Sequence, residues 1–228
     1  MLAQELRYCI KNQETIQKLA ERTYKRVLLG KDLGLVANSC DFILLEKKCA
    51  QYAEKEKILY RVLERDEIRI LSEIDRYEII EEVYRVRDGK LVLEKEYREE
   101  IDISDESEVI EDYIQDYDGG GTFIGAFDGE KPVGLSGICG NLIGENKDMI
   151  QLSSLWVSNK YRKKGIGRQL IFMLKEKAKQ SGAKKLYVSA TPSKNTVDFY
   201  RSVGFYLTTP VKELFEDEPK DIHMDMLL

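Results

Sequence analysis

Through the first third of the chain, apolar residues recur every three or four positions, the spacing of one helix face. Between Gln13 and Leu29 the stripe is Ile16, Leu19, Ala20, Tyr24, Val27 and Leu28, and the segment GKDLG (30–34) supplies glycines that stop it. Ser39 is placed to cap a second helix, with a stripe of Phe42, Leu45, Cys49, Tyr52, Ala53, Leu59 and Leu63. Residues 1–66 are therefore expected to form a helical extension. The apolar faces of this hairpin need cover, from each other and the downstream domain or from a second subunit in a homodimer.

From about Glu67 the pattern shortens to β-like runs separated by turns and helices. IRIL (68–71) reads as a strand, and SEIDRYEIIEEVY (72–84) as a helix or turn running into extended chain. RVRDGKLVLEKEY (85–97) is a hairpin, because Asp88-Gly89 divides two alternating stretches. DESEVIEDYIQDYDGGG (105–121) reads as an amphipathic helix ended by three glycines. TFIGAF, a tight turn at Asp128-Gly129 and KPVGLSGICG then form a meander, followed by a loop (141–147) and the run MIQLSSLWV (149–157). A helix starts at Gly165 with Ile166, Leu170, Met173, Leu174 and Ala178 on one face and ends at Ser181-Gly182. KKLYVSA (184–190) is a strand and NTVDFYRSVGF (195–205) a short helix stopped by Gly204. Two closing strands, near 205–208 and 223–227, flank an acidic loop. The expected class is α/β (α+β), with one domain over 67–228.

Composition limits what such a domain does. With 228 residues, 43% hydrophobic and 34% charged, the chain supports one sizeable core and an appendage. Lys and Arg number 36 against 41 Asp and Glu, and the resulting charge of −5 gives no general attraction to nucleic acid or an anionic membrane surface. The opening MLAQELRYCIKNQ has no apolar leader core or Arg/Ser-rich transit pattern, and no run approaches the roughly 18 apolar residues of a spanning helix, so the cytoplasm is the expected compartment. Cys9, Cys40, Cys49 and Cys139 form no C-x-x-C pair, and His223 is the only histidine. Reduced, packed thiols are expected, with no metal site and no Cys/His nucleophile pair.

One stretch runs against the overall charge. YRKKGIGRQL (161–170) gathers Arg162, Lys163, Lys164 and Arg168 around Gly165 and Gly167 at the junction of a strand and a helix. A helix start offers unpaired N–H groups and a positive dipole end, and glycine lets a ligand approach the backbone, so the junction suits an anion with more than one phosphate. A Walker loop would need Gly-Lys-Ser/Thr where Gly167-Arg168-Gln169 stands, and a dinucleotide loop would need glycine at Leu170.

What fits is Arg162-x-x-Gly165-x-Gly167, which resembles the R/Q-x-x-G-x-G/A pyrophosphate signature of the GNAT superfamily of acyl-CoA-dependent N-acyltransferases. The resemblance continues upstream in LSSLWVS (152–158). Downstream it extends to SATPSKNTVDFYRSVGF (189–205), where Asn195, Phe199-Tyr200 and Gly204-Phe205 look like a second motif, and to DIHMDMLL (221–228). It implies a mixed sheet whose two central parallel strands splay apart, with acetyl-CoA in the cleft. Backbone groups of Leu155, Trp156 and Val157 would pair with the pantetheine arm, amides from Arg162 through Ile166 to Gly167 would wrap the pyrophosphate, and Asn195 and Tyr200 would complete the coenzyme site.

The implied reaction transfers an acetyl group from acetyl-CoA to a primary amine of a small molecule or protein. Tyr200, protonated at neutral pH, is the expected acid for the departing thiolate. Gln151 stands where many members carry a glutamate base, which leaves Asp148, Glu145 or a water chain as alternatives. Glu213, Glu216, Asp217 and Glu218 border the expected acceptor side and could attract a cationic amine, and His223 is a candidate to face it. The runner-up is a GNAT-like module that binds acyl-CoA as a regulatory ligand or scaffold; Gln151 favours it and Tyr200 opposes it.

Overall fold

The computed structural model describes residues 58–100, 106–217 and 219–228. The chain divides into two units, 1–57 and 58–228. Both expected N-terminal helices, up to Lys57, lie outside the described residues.

The second unit is built on a seven-stranded sheet in the order β1-β4-β5-β6-β7-β9-β8. Its strands are β1 (Ile58–Val62), β4 (Thr122–Asp128), β5 (Lys131–Ile143), β6 (Met149–Val157), β7 (Lys185–Ala190), β8 (Tyr206–Leu207) and β9 (Ile222–Leu227). All neighbours are antiparallel except β6 and β7. A separate two-stranded ribbon joins β2 (Glu78–Arg87) and β3 (Lys90–Glu100) through Asp88 and Gly89. Both turn residues have positive φ, 49° and 71°, as a two-residue primed turn requires. The helices are α1 (Glu106–Asp118), α2 (Ile166–Gln180), α3 (Lys194–Ser202) and α4 (Lys212–Asp217).

Two sequence expectations fail here. IRIL lies inside a 3-10 helix, Arg65–Glu73. Ile68 and Leu71, three apart, are both buried, and Glu64 and Glu67 form a capping box at its start, so helical spacing outweighs the β propensity of a four-residue run. Residues 58–62, read as the end of a helix through Leu59 and Leu63, instead form β1 and pair with β4 from Ile58↔Asp128 to Val62↔Ile124.

Alternation along β4 feeds two cores on opposite faces of the sheet. Ile124 and Ala126 join Leu170, Leu174 and Ala178 of α2 on one face. Phe123 and Phe127 join Ile68 and Leu71 of the 3-10 helix and Ile110 and Ile114 of α1 on the other. The end of α1 is held tightly against β5, because a Cβ on Gly140 would lie 2.0 Å from the carbonyl oxygen of Gly119. That contact leaves room only for glycine and fixes the last turn of α1 against Cys139.

Candidate active site

The two parallel strands separate within the sheet. β6 pairs with β7 only from Met149↔Lys185 to Gln151↔Tyr187, while its other edge stays paired with β5 as far as Val157↔Gly134. Residues 152–157 therefore have one edge without a strand partner. Ser158 donates its N–H to the Val133 carbonyl at 2.9 Å. Because strand groups alternate, Trp156 also points toward β5, and the groups that face the open edge belong to Leu155 and Val157. Trp156, expected among the coenzyme-contacting backbone groups, is thus directed away. Its indole Nε1 donates to the Tyr113 hydroxyl at 3.0 Å, and the Arg76 guanidinium lies 5.3 Å over its ring.

Beyond β6 the chain turns through Lys163 (φ 60°) and Gly165 (φ 88°), the N-cap of α2. A left-handed φ at Gly165 is open to glycine at little cost. Among the described residues, no carbonyl accepts from the amides of Lys163, Lys164, Gly165, Ile166, Gly167 or Arg168. Six consecutive N–H groups at a helix start are the kind of donors that suit an anion. Lys163 and Lys164 are exposed beside it, and the Lys164 ammonium lies 4.9 Å from the Tyr161 ring centre.

The two arginines of this segment act differently from the lysines. Arg162 donates from Nε to the Val157 carbonyl at 3.0 Å and from Nη2 to the Arg76 carbonyl at 3.1 Å. Arg168 donates to the Ser202 carbonyl at 3.2 Å and to its hydroxyl at 3.4 Å. Both guanidiniums bind backbone of neighbouring segments and so hold the turn in place. Asn195 donates to Glu78 at 3.0 Å, tying the start of α3 to β2. Tyr84 completes that attachment, with its amide on the Pro192 carbonyl at 2.8 Å and its hydroxyl on Asp198 at 2.9 Å.

Tyr200 lies on α3, only 6% exposed, with its ring edge-on to Phe199 and Phe205. Burial pushes its phenol pKa up, and Tyr113 and Asp221 are close enough to push the same way, so it keeps its proton across the physiological range. His223 is 3% exposed, with Nδ1 2.7 Å from the Tyr187 hydroxyl, a packed residue at the wall of a cleft.

The base alternatives fall elsewhere. Asp148 sits before the far end of β6, paired with Lys184 at 3.7 Å, and Glu145 is exposed in the preceding turn. The carboxylate beside the splay is Asp116, which sequence reading passed over. It lies near the Cys139 thiol and the Ser153 hydroxyl, at a bulge of β6, and the Cys139 sulfur lies 3.8 Å from Gln151. Burial raises the Asp116 pKa, and burial followed by Asp116 pushes the Cys139 thiol up to about 12. The available signal was an acid bordering an apolar helix stripe just before three glycines. Glu213 and Glu216 are exposed on α4, with Glu216 3.8 Å from Lys212.

The model of the acetyltransferase (GNAT) family matches residues 88–205, more than half of the chain. The chain belongs to the GNAT acetyltransferase family. No curated protein matches it. Among solved structures, this GNAT chain resembles nourseothricin acetyltransferase at 17% identity and a TM-score of 0.56, over 75% of this chain and 98% of that one. It also resembles a protein of Bacillus anthracis str. Ames described as a candidate streptothricin acetyltransferase, in complex with acetyl coenzyme A, at 18% identity and a TM-score of 0.58 over 75% and 98%. A GNAT acetyltransferase of Staphylococcus aureus Mu50 matches at 17% and 0.52 over 75% and 99%. At these identities the likeness bears on the fold, whose splayed parallel pair is the one described above. Among the described residues, no helix is long and apolar enough to cross a membrane.

Proposed function

We propose that this GNAT chain transfers the acetyl group of acetyl-CoA to a primary amine of a small molecule or protein. The observation that carries the reading is the junction of an open strand edge with six free amides at the start of α2. The first suits the amide-bearing arm of the coenzyme and the second its pyrophosphate. Lys163 and Lys164 add charge there, while Arg162, Arg168 and Asn195 keep the turn, α2 and α3 in register. Bound acetyl-CoA supplies an activated thioester.

The chain's own groups supply the rest. One backbone N–H on the open edge, at Leu155 or Val157, polarises the thioester carbonyl, and the other pairs with the arm of the coenzyme. Tyr200, kept protonated by burial, donates to the departing sulfur. Asp116, whose raised pKa makes it a stronger base than an ordinary carboxylate, takes a proton from the acceptor's ammonium and so frees the neutral amine to attack the thioester carbonyl. We assign these tasks to residues 58–228 and an accessory role to the N-terminal residues. A thiol-release assay with acetyl-CoA against a panel of amines and peptides tests the reading. Amine-dependent release supports it, whereas tight coenzyme binding without release under any amine would favour a regulatory acyl-CoA-binding module.

A further inference from the structure

Beneath the β2–β3 ribbon lies a cleft of about 1080 Å³. One side is formed by Thr191 and Pro192, which directly follow β7, and by Asp221 and His223 at the start of β9. The other side is formed by the ribbon. The cleft therefore adjoins the C-terminal end of the second splayed strand, and Asp221 on its wall is the carboxylate whose charge reaches Tyr200. We propose that this cleft receives the acceptor, and that the acceptor is an amine carrying a carboxylate or phosphate group. The inference rests on the acetyltransferase reading above.

Charge gives the chemical class. Arg85, Arg87, Arg98 and Lys220 line the cleft against two carboxylates, Glu96 and Asp221, in a chain of net charge −5. Glu96 serves two guanidiniums at once, Arg85 at 2.5 Å and Arg98 at 3.5 Å, while Arg87 pairs with Glu94 at 2.9 Å. These ions are partly exposed, and pairs of that kind contribute little to stability, so they exchange partners with an incoming anion at small cost. A guanidinium pair is suited to a carboxylate or phosphate, which it can grip through two parallel bonds. Asp221 lies just before β9, among the cleft residues not contributed by the ribbon, and complements an ammonium. The polarity is thus amine toward Asp221 at the start of β9 and anion toward the ribbon arginines. The acidic residues Glu213 and Glu216, expected to draw a cationic amine, lie outside this lining.

The test uses the full chain and matched amines that differ in the anion: L-glutamate, L-aspartate and O-phosphoethanolamine against glutamate dimethyl ester, ethanolamine and spermidine. Ligand-observed NMR reads binding, and coenzyme A release reads turnover. Preference for the anionic amines by about 10-fold or more in both readouts is expected, as for a charge-assisted contact. Arg85→Ala and Arg98→Ala should each raise their KM about 10-fold and leave coenzyme A affinity unchanged. Glu96→Gln, which removes the carboxylate that competes with the acceptor's anion for Arg85, should lower that KM, a gain that misfolding cannot imitate. Parity between the anionic amines and their uncharged or cationic counterparts, or an unchanged KM in all three variants, overturns the inference. Titration of coenzyme A alone keeps the two readings apart. Its failure removes the acetyltransferase reading, while the NMR preference still decides whether the cleft selects anions.

Discussion

Arg162→Lys separates geometry from charge at the turn. The Arg162 side chain is 30% exposed and spans two carbonyls, Val157 at 3.0 Å and Arg76 at 3.1 Å. Lysine keeps the positive charge, but one ammonium cannot reach both acceptors with good geometry. A hydrogen bond from a charged donor contributes about 1.5–3 kcal/mol. Loss of one such bond, with weakening of the other, costs about 2–3 kcal/mol. At about 2–4 °C per kcal/mol for a domain of this size, the variant should melt roughly 4–12 °C below wild type. The amides that follow would then be less well ordered before binding, so coenzyme A affinity should fall about 5-fold to 50-fold although no charge is lost. Thermal denaturation with and without coenzyme A, together with titration calorimetry, measures both effects. A variant that melts within about 2 °C of wild type and binds coenzyme A fully would refute the positioning role and make Arg162 a simple source of charge.

Further outcomes follow from neighbouring groups. Lys164→Ala, which removes an exposed charge, should weaken coenzyme A binding at low ionic strength and have much less effect near 0.5 M salt, about where screening reaches a few ångströms; calorimetry at two salt concentrations reads this. Tyr200→Phe should cut turnover by roughly 10²-fold to 10⁴-fold in a chemistry-limited assay with coenzyme affinity nearly intact, since the ring and its packing on Phe199 and Phe205 remain. For Asp116 the sign is set by burial: the folded pKa lies above the unfolded one, so the ionised form is disfavoured in the native state and stability falls as pH rises through the raised value. Asp116→Asn should therefore melt higher than wild type at pH 7, yet lose turnover and the acid limb of the pH–rate profile that the unprotonated carboxylate produces in wild type.

The legible parts of this protein are those whose determinants are contiguous. β6 runs from Met149 to Val157 as its apolar run predicts, and the phosphate turn is visible because its glycines and cations fall within ten residues. Short apolar runs were ambiguous. IRIL satisfies a strand by composition and a helix by the spacing of Ile68 and Leu71, and the capping box at Glu64 and Glu67 settles it. Leu59 and Leu63 have helical spacing, yet residues 58–62 gain a full set of ladder partners on β4. The direction of each cation was also hidden, because only the fold brings the Val157, Arg76 and Ser202 carbonyls to Arg162 and Arg168. Asp116, Cys139 and Ser153, like the ribbon arginines and Asp221, come together from elements far apart in the chain, and nothing local marks them as neighbours.

We propose that acetyl-CoA binds across the open edge of β6 with its pyrophosphate on the amides of Lys163 to Arg168. Backbone amide NMR of the full chain, recorded while coenzyme A is added, tests this residue by residue. The largest shifts are expected at residues 163–168, with further shifts at Leu155 and Val157 and little change along β1. Saturable binding that left the amides of 163–168 unmoved would contradict it.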